Sequence, residues 1–237
     1  KNIMINVDRI YQRVLTLANK EQRGYITPQE FNLLANHAQM DIFEQYFYDL
    51  SQFLRTPGNS TVHADTVDIL EEKISVFETS ANLVVTGNAA LLTDAPAFYR
   101  LSSVIEPESN TIFESVTRKE ITLFQNSPIA APTNTRPVYT LDLPNSRINL
   151  FGREPDEIQV NYIRSPRRVN WTYVVVGDKA LSNPDPAVGY QDFTLHPSEE
   201  TDLVLKILTL AGFTLKDPGL YQAAANEDTK NIQQEKQ

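Results

Sequence analysis

Apolar residues near the start of the chain recur at helical spacing. Val7, Ile10, Tyr11, Val14, Leu15 and Ala18 follow the i, i+3, i+4, i+7 rule and predict an amphipathic helix. A second helix is predicted from Pro28 to about Leu54, with two apolar stripes. Phe31, Leu34, Ala35, Ala38, Ile42 and Tyr46 form one; Met40, Phe43, Phe47, Leu50 and Leu54 form the other. A surface helix usually carries a single apolar face. Two offset faces fit either a helix packed on its own domain and on a neighbour, or a central helix in a large core. The break Arg55-Thr56-Pro57-Gly58-Asn59-Ser60 follows, and residues 64–78 fit a short helix or an extended arm.

The pattern then changes to short alternating runs. Strands are expected at Asn82–Val85, Tyr99–Ile105, Ile121–Phe124, Val138–Leu143, Arg147–Phe151, Ile158–Ile163 and Val169–Val176. Leu143-Pro144-Asn145-Ser146-Arg147 predicts a hairpin turn, and the proline-rich stretch Gln125–Pro137 a segment wrapped over a surface. Helical spacing returns with Leu203, Val204, Ile207, Leu208 and Ala211, after a helix start at Ser198-Glu199-Glu200 and before a C-cap at Gly212. Asp217-Pro218 restarts a helix, and beyond Tyr221 the chain is polar. The expected fold is α+β: N- and C-terminal helices packed as a bundle, with an inserted antiparallel β-domain, a small sandwich or open barrel. The expected divisions are a helical hairpin over 1–60, a β-rich domain over 61–190, C-terminal helices over 191–222 and a polar tail over 223–237.

Asn19–Glu30 has the length and the central glycine, Gly24, of a calcium loop. Its chemistry differs, because Arg23 stands where an oxygen ligand is needed. A turn explains the letters better: Gly24 ends one helix and Thr27-Pro28-Gln29-Glu30 opens the next with a capping box. A degenerate EF-hand-like calcium-binding protein is kept as a distant alternative. His37, His63 and His196 lack metal-ligand spacing. No phosphate-binding loop, dinucleotide fingerprint or nucleophile elbow is present in the sequence. The reading is a non-enzymatic protein without cofactor or metal. Having no cysteine, the chain forms no disulfide. The opening lacks a signal-peptide pattern, so the Asn59 and Asn170 glycosylation tripeptides are read as chance. A net charge of −9 disfavours tight binding of free nucleic acid. Arg164, Arg167 and Arg168, followed by Trp171 and Tyr173, are the candidate polar or nucleic-acid contact; the alternative is a loop whose arginines pair with acids.

The opening INVDRIYQRVLTLANKEQRGYITPQEFNLLANHAQMDIFEQYFYDL resembles virion structural proteins of tailed bacteriophages, especially crAss-like and related short-tailed phages. The segments FYRLSSV, RPVYTLDL, RINLFG and IQVNYIRSPRRVNW are similar to the strand pattern of tail-tubular or head-to-tail adaptor ring proteins, and EETDLVLKILTLAGFTLKDPGLYQ fits the same group. The resemblance implies a neck protein of the virion, assembled in the host bacterial cytoplasm as a homo-oligomeric ring of about 12 copies. It implies as partners the portal protein, other neck and tail rings, and packaged DNA that passes through unread, with no membrane. Met40, Phe43, Phe47, Leu50 and Leu54 are then the expected subunit interface. Tyr221, Asn226, Ile232 and Gln233 are the expected portal-docking residues of the tail. Another phage ring, a stopper or tail hub, is the alternative within this class.

Overall fold

The computed structural model describes residues 4–20, 26–55, 61–177 and 179–214. It contains both helix and sheet, in two compact units. One is continuous, Phe77–Ser165; the other combines the chain up to Val76 with the chain from Pro166 onward. The β unit is therefore narrower than residues 61–190. No described helix is long and apolar enough to cross a membrane.

The helical unit begins with α1 (Val7–Lys20), α2 (Pro28–Arg55) and α3 (Thr61–Ser75). Residues 64–75, ambiguous from sequence, are thus helical. Asn6 caps α1, its Oδ1 accepting from Arg9 N at 2.9 Å. Thr27 and Glu30 form the capping box of α2. Glu30 N donates to Thr27 Oγ1 at 3.3 Å, and Glu30 Oε2 accepts from Thr27 N at 2.9 Å. The bonds that Thr27 donates to Glu30 Oε2, from its backbone N and from its Oγ1, hold the Glu30 carboxyl below its ordinary pKa. The carboxylate expected at the end of a calcium loop is thus engaged in starting a helix; residues 21–25 lie outside the described ones. α2 packs against α3 and against the final helix α5 (Glu200–Thr214), which also meets α1. Val7, Ile10, Tyr11 and Val14 from α1, Phe31, Ala35 and Ala38 from α2, and Leu203 and Ile207 from α5 are all buried. Tyr11 anchors this core, with its ring 4.8 Å from Phe31 and 4.0 Å from Trp171. Helix α5 continues two residues past Gly212, so that glycine is not its C-cap.

The second unit is a closed barrel. Its strands are β1 (Glu78–Thr86), β2 (Ala89–Leu91), β3 (Phe98–Glu106), β4 (Thr111–Ser115), β5 (Val138–Asp142), β6 (Arg147–Phe151) and β7 (Glu157–Arg164). They run in the order β1-β2-β6-β5-β4-β3-β7, with β7 paired back to β1. Leu83, Val104, Phe113, Ile148, Leu150, Ile158 and Val160 fill the interior. Every second residue along most of β7 points inward, as the strand period requires. Two register shifts in β3 against β7 bend the sheet towards closure.

Three expectations are corrected. The sheet is a closed barrel, not a sandwich or open barrel. It is not wholly antiparallel, because β4 and β5 pair in parallel. The predicted strand Ile121–Phe124 lies in a helix, α4 (Arg118–Gln125). One cause links the last two. Thr117 and Glu120 form a full capping box that starts α4, and its Ile121 and Phe124 pack on Val116, Val138 and Phe151. Parallel strands need a crossover of a dozen or more residues, usually helical, and residues 116–137, which include α4, supply it. The proline-rich stretch after α4 passes close to Gly152. A Cβ there would meet Thr133 N at 2.7 Å, and Gly152 has a φ of +85°. The expected hairpin at 143–147 joins β5 to β6, with Ser146 N donating to Leu143 O at 3.0 Å.

Candidate functional site

Helix α2 carries most of the chemistry of the helical unit. Asn32, Asn36 and Gln39 recur at i, i+4, i+7, so they share one face of the helix. Their amides bind the backbone of residues 167–171. Asn32 Oδ1 accepts from Trp171 N at 2.8 Å, while its Nδ2 donates to Trp171 O at 3.1 Å. Asn36 does the same for Val169, at 2.8 Å in each direction. Gln39 donates to Arg167 O at 2.8 Å and accepts from Thr194 N at 2.9 Å. These side chains take the place of a neighbouring strand. That is why the predicted strand Val169–Val176 is regular only from Tyr173: before it, Val169 and Trp171 are satisfied by helix side chains, while Asn170 pairs with the backbone of Gln191 in an isolated bridge. The sequence signal was three amides at helical spacing, and it was missed.

Beyond this clamp the chain forms a separate hairpin, β8 (Tyr173–Val176) and β9 (Lys179–Ser182). Tyr173, Val174, Val175, Val176 and Leu181 are all exposed, by 38, 49, 63, 60 and 51%. The hairpin base is tied down by Thr172 Oγ1, which donates to Asn183 O at 2.6 Å, and by the Tyr173 ring stacked 5.6 Å from Trp171.

The expected site residues fall into different environments. Phe43 is fully buried, so it belongs to the core of the chain and not to a free face. The correction has a clear cause: α2 has α3 and α5 to cover its sides. Met40, Phe47 and Leu50 are half-buried, and the Leu54 side chain lies outside the described set. Met40 lines an open groove with Leu33, His37, Asp41, Glu44 and Arg168, so two residues singled out separately come together there. Arg164 ends β7 in the barrel unit, whereas Arg167 and Arg168 are exposed residues of the helical unit. Among the described residues neither Arg167 nor Arg168 has an ion-pair partner for its side chain, unlike Arg9 and Arg13, which both bind Glu200. Trp171 is 1% exposed and donates Nε1–H to Asp8 at 2.8 Å, so it cannot stack on a base. That removes the aromatic half of the expected nucleic-acid contact. Tyr221, Asn226, Ile232 and Gln233 lie outside the described residues.

No group of three or more His, Cys, Asp or Glu side chains among the described residues is placed to hold a metal ion. His37 is a surface residue 3.5 Å from Asp41, and His196 caps the turn before α5, its Nδ1 accepting from Ser198 N. No protein-family model and no curated protein matches the chain.

Proposed function

We propose that this chain is a structural protein of a phage neck, one copy of an adaptor ring that joins portal to tail around the DNA channel. The observation that carries the reading is the apolar surface of the helical unit. A run of β-branched residues stands exposed on a hairpin whose base adjoins the amide clamp. An exposed apolar cluster of this kind is often the surface on which a protein meets a partner. Two features add support: a barrel inserted between helical segments from both halves of the chain, and a net charge of −9. An acidic wall lets DNA slide where a basic one would retain it. In this reading the helices from both ends pack as one bundle, and Met40, Phe47 and Leu50 face the neighbouring subunit. The polar residues 223–237 dock on the portal. The chain acts by binding and holding, not by catalysis. The copy number of this chain in purified particles, relative to the portal protein, tests the proposal.

A further inference from the structure

Helix α2 keeps one face open along a groove of about 980 Å³, lined by Leu33, His37 and Met40. Asp41 lines it on the side of α5, 3.9 Å from Lys206, and Arg168 lines it from the clamped segment 167–171. Leu33 is 74% exposed there. A lone exposed leucine needs no explanation. This one gains meaning from the part of the chain that ends beside it.

Three contacts fix the course of α5 along α2. Glu199, just before the helix, holds Lys73 at 2.7 Å, and Lys73 Nζ stands 5.8 Å over the Tyr46 ring. Further on, Lys206 reaches Asp41. As α5 advances its partners on α2 step backward, so the two helices run antiparallel. From Lys206 to its end at Thr214 the helix advances about 12 Å. An equal step back along α2 from Asp41 arrives at Leu33. Packed helices lie about 8–10 Å apart. The chain therefore leaves α5 within reach of Leu33, at one end of the groove and on the side that Asp41 marks.

The residues that follow are Leu215-Lys216-Asp217-Pro218-Gly219-Leu220-Tyr221-Gln222. Asp217-Pro218 opens a helix in the sequence reading. With Gly219 counted, proline and glycine also fill the two central positions of a type II turn. Such a turn, so soon after α5, sends the chain back along α2. We infer that residues 215–222 of the same chain fold over the open face of α2 as a strap, with Leu220 on Leu33 and the Tyr221 ring against Met40 and Arg168. The chemistry fits on both sides. Leu220 removes the exposed leucine from water, and a thioether and a guanidinium both favour aromatic rings. The inference stands apart from the neck reading. Where a neighbouring subunit packs on α2, it meets the strap over Met40 and the helix itself at Phe47 and Leu50. The strap also takes Tyr221 out of the portal-docking set and leaves residues 223–237 to that role.

The absence of cysteine makes disulfide trapping clean. The full chain carries His37→Cys, at an exposed position in the groove, and Gln222→Cys, at the end of the strap, and is oxidised at low concentration. A docked strap holds the two thiols at high effective concentration, so the internal disulfide should form about tenfold faster than in the same chain with Leu220→Ser or Leu33→Ser added. Leu33 is exposed, so Trp171 fluorescence stays native in these variants. Equal rates with and without either serine overturn the inference, because an undocked segment is indifferent to both. Cross-linked dimers as the main product at low concentration also overturn it, since the segment then belongs on a second copy.

Discussion

Replacing Gln39 tests the amide clamp on α2. The side chain is 2% exposed and serves two backbone groups on separate segments, Arg167 O and Thr194 N. Gln39→Met keeps the length and removes both bonds. Thr194 is itself 2% exposed, so its N–H is left buried without a partner; an orphaned buried group costs about 1–3 kcal/mol. Arg167 is an exposed residue, so its carbonyl can turn to water and only the net bond, about 1 kcal/mol, is lost. The total is about 2–4 kcal/mol. For a protein of this size that lowers the unfolding midpoint by roughly 4–16 °C. Trp171 is the only tryptophan and is buried in the same unit, so its fluorescence reports the loss directly. Gln39→Glu separates hydrogen bonding from packing. An ionised carboxylate still accepts from Thr194 but opposes the Arg167 carbonyl, which raises its pKa above the unfolded value. The protonated acid can donate again. Its penalty should therefore be small in acid and grow as pH rises through the raised pKa. A Gln39→Met protein within about 0.5 kcal/mol of the parent would refute the clamp.

Other outcomes are expected in the barrel unit. Gly152→Ala should destabilise it by about 2–4 kcal/mol, because the residue has positive φ and a Cβ would strike the Pro132–Thr133 backbone; unchanged urea unfolding of the barrel by circular dichroism would contradict this. Asp142 accepts from Asn145 Nδ2 at 2.8 Å and from Arg118 Nη2 at 2.7 Å. Chiefly through Asn145, against the opposing effect of desolvation and with help from Arg118, its carboxyl is held below its ordinary pKa. Its contribution is fully present above the ordinary carboxylate value and is lost as pH falls through the lowered one. Asp142→Asn should flatten the acid limb of the barrel's stability profile; an acid limb as steep as the parent's would contradict the assignment.

The sequence revealed elements whose period is strong and whose caps are local. α1, α2 and α5 were legible from 3.6-residue spacing, and β3, β5, β6 and β7 from alternation. Thr27–Glu30 carries the letters of a capping box and forms one. The same motif at Thr117–Glu120 is harder to see in the sequence, because Ile121 to Phe124 fall within a run of strand candidates. β2 has three residues, and β4 holds an exposed Ile112 beside a buried Phe113, too short a signal to stand out. Closure of the barrel depends on register shifts in β3 and on the parallel β4–β5 pair, which only tertiary pairing specifies. The two-faced pattern of α2 was visible, but not what covers each face: Phe43 turns inward, whereas Met40 lines an open groove. The exposed hairpin could not be foreseen, since Tyr173-Val174-Val175-Val176 reads like any buried strand.

The most direct test of the proposed neck role is quantitative mass spectrometry of particles purified from the source of this chain, scaled to a portal protein. The account predicts a ratio near one to one, as for a ring matched to the portal. A ratio in the hundreds would place the chain in the capsid shell, and its absence from particles would contradict the structural role altogether.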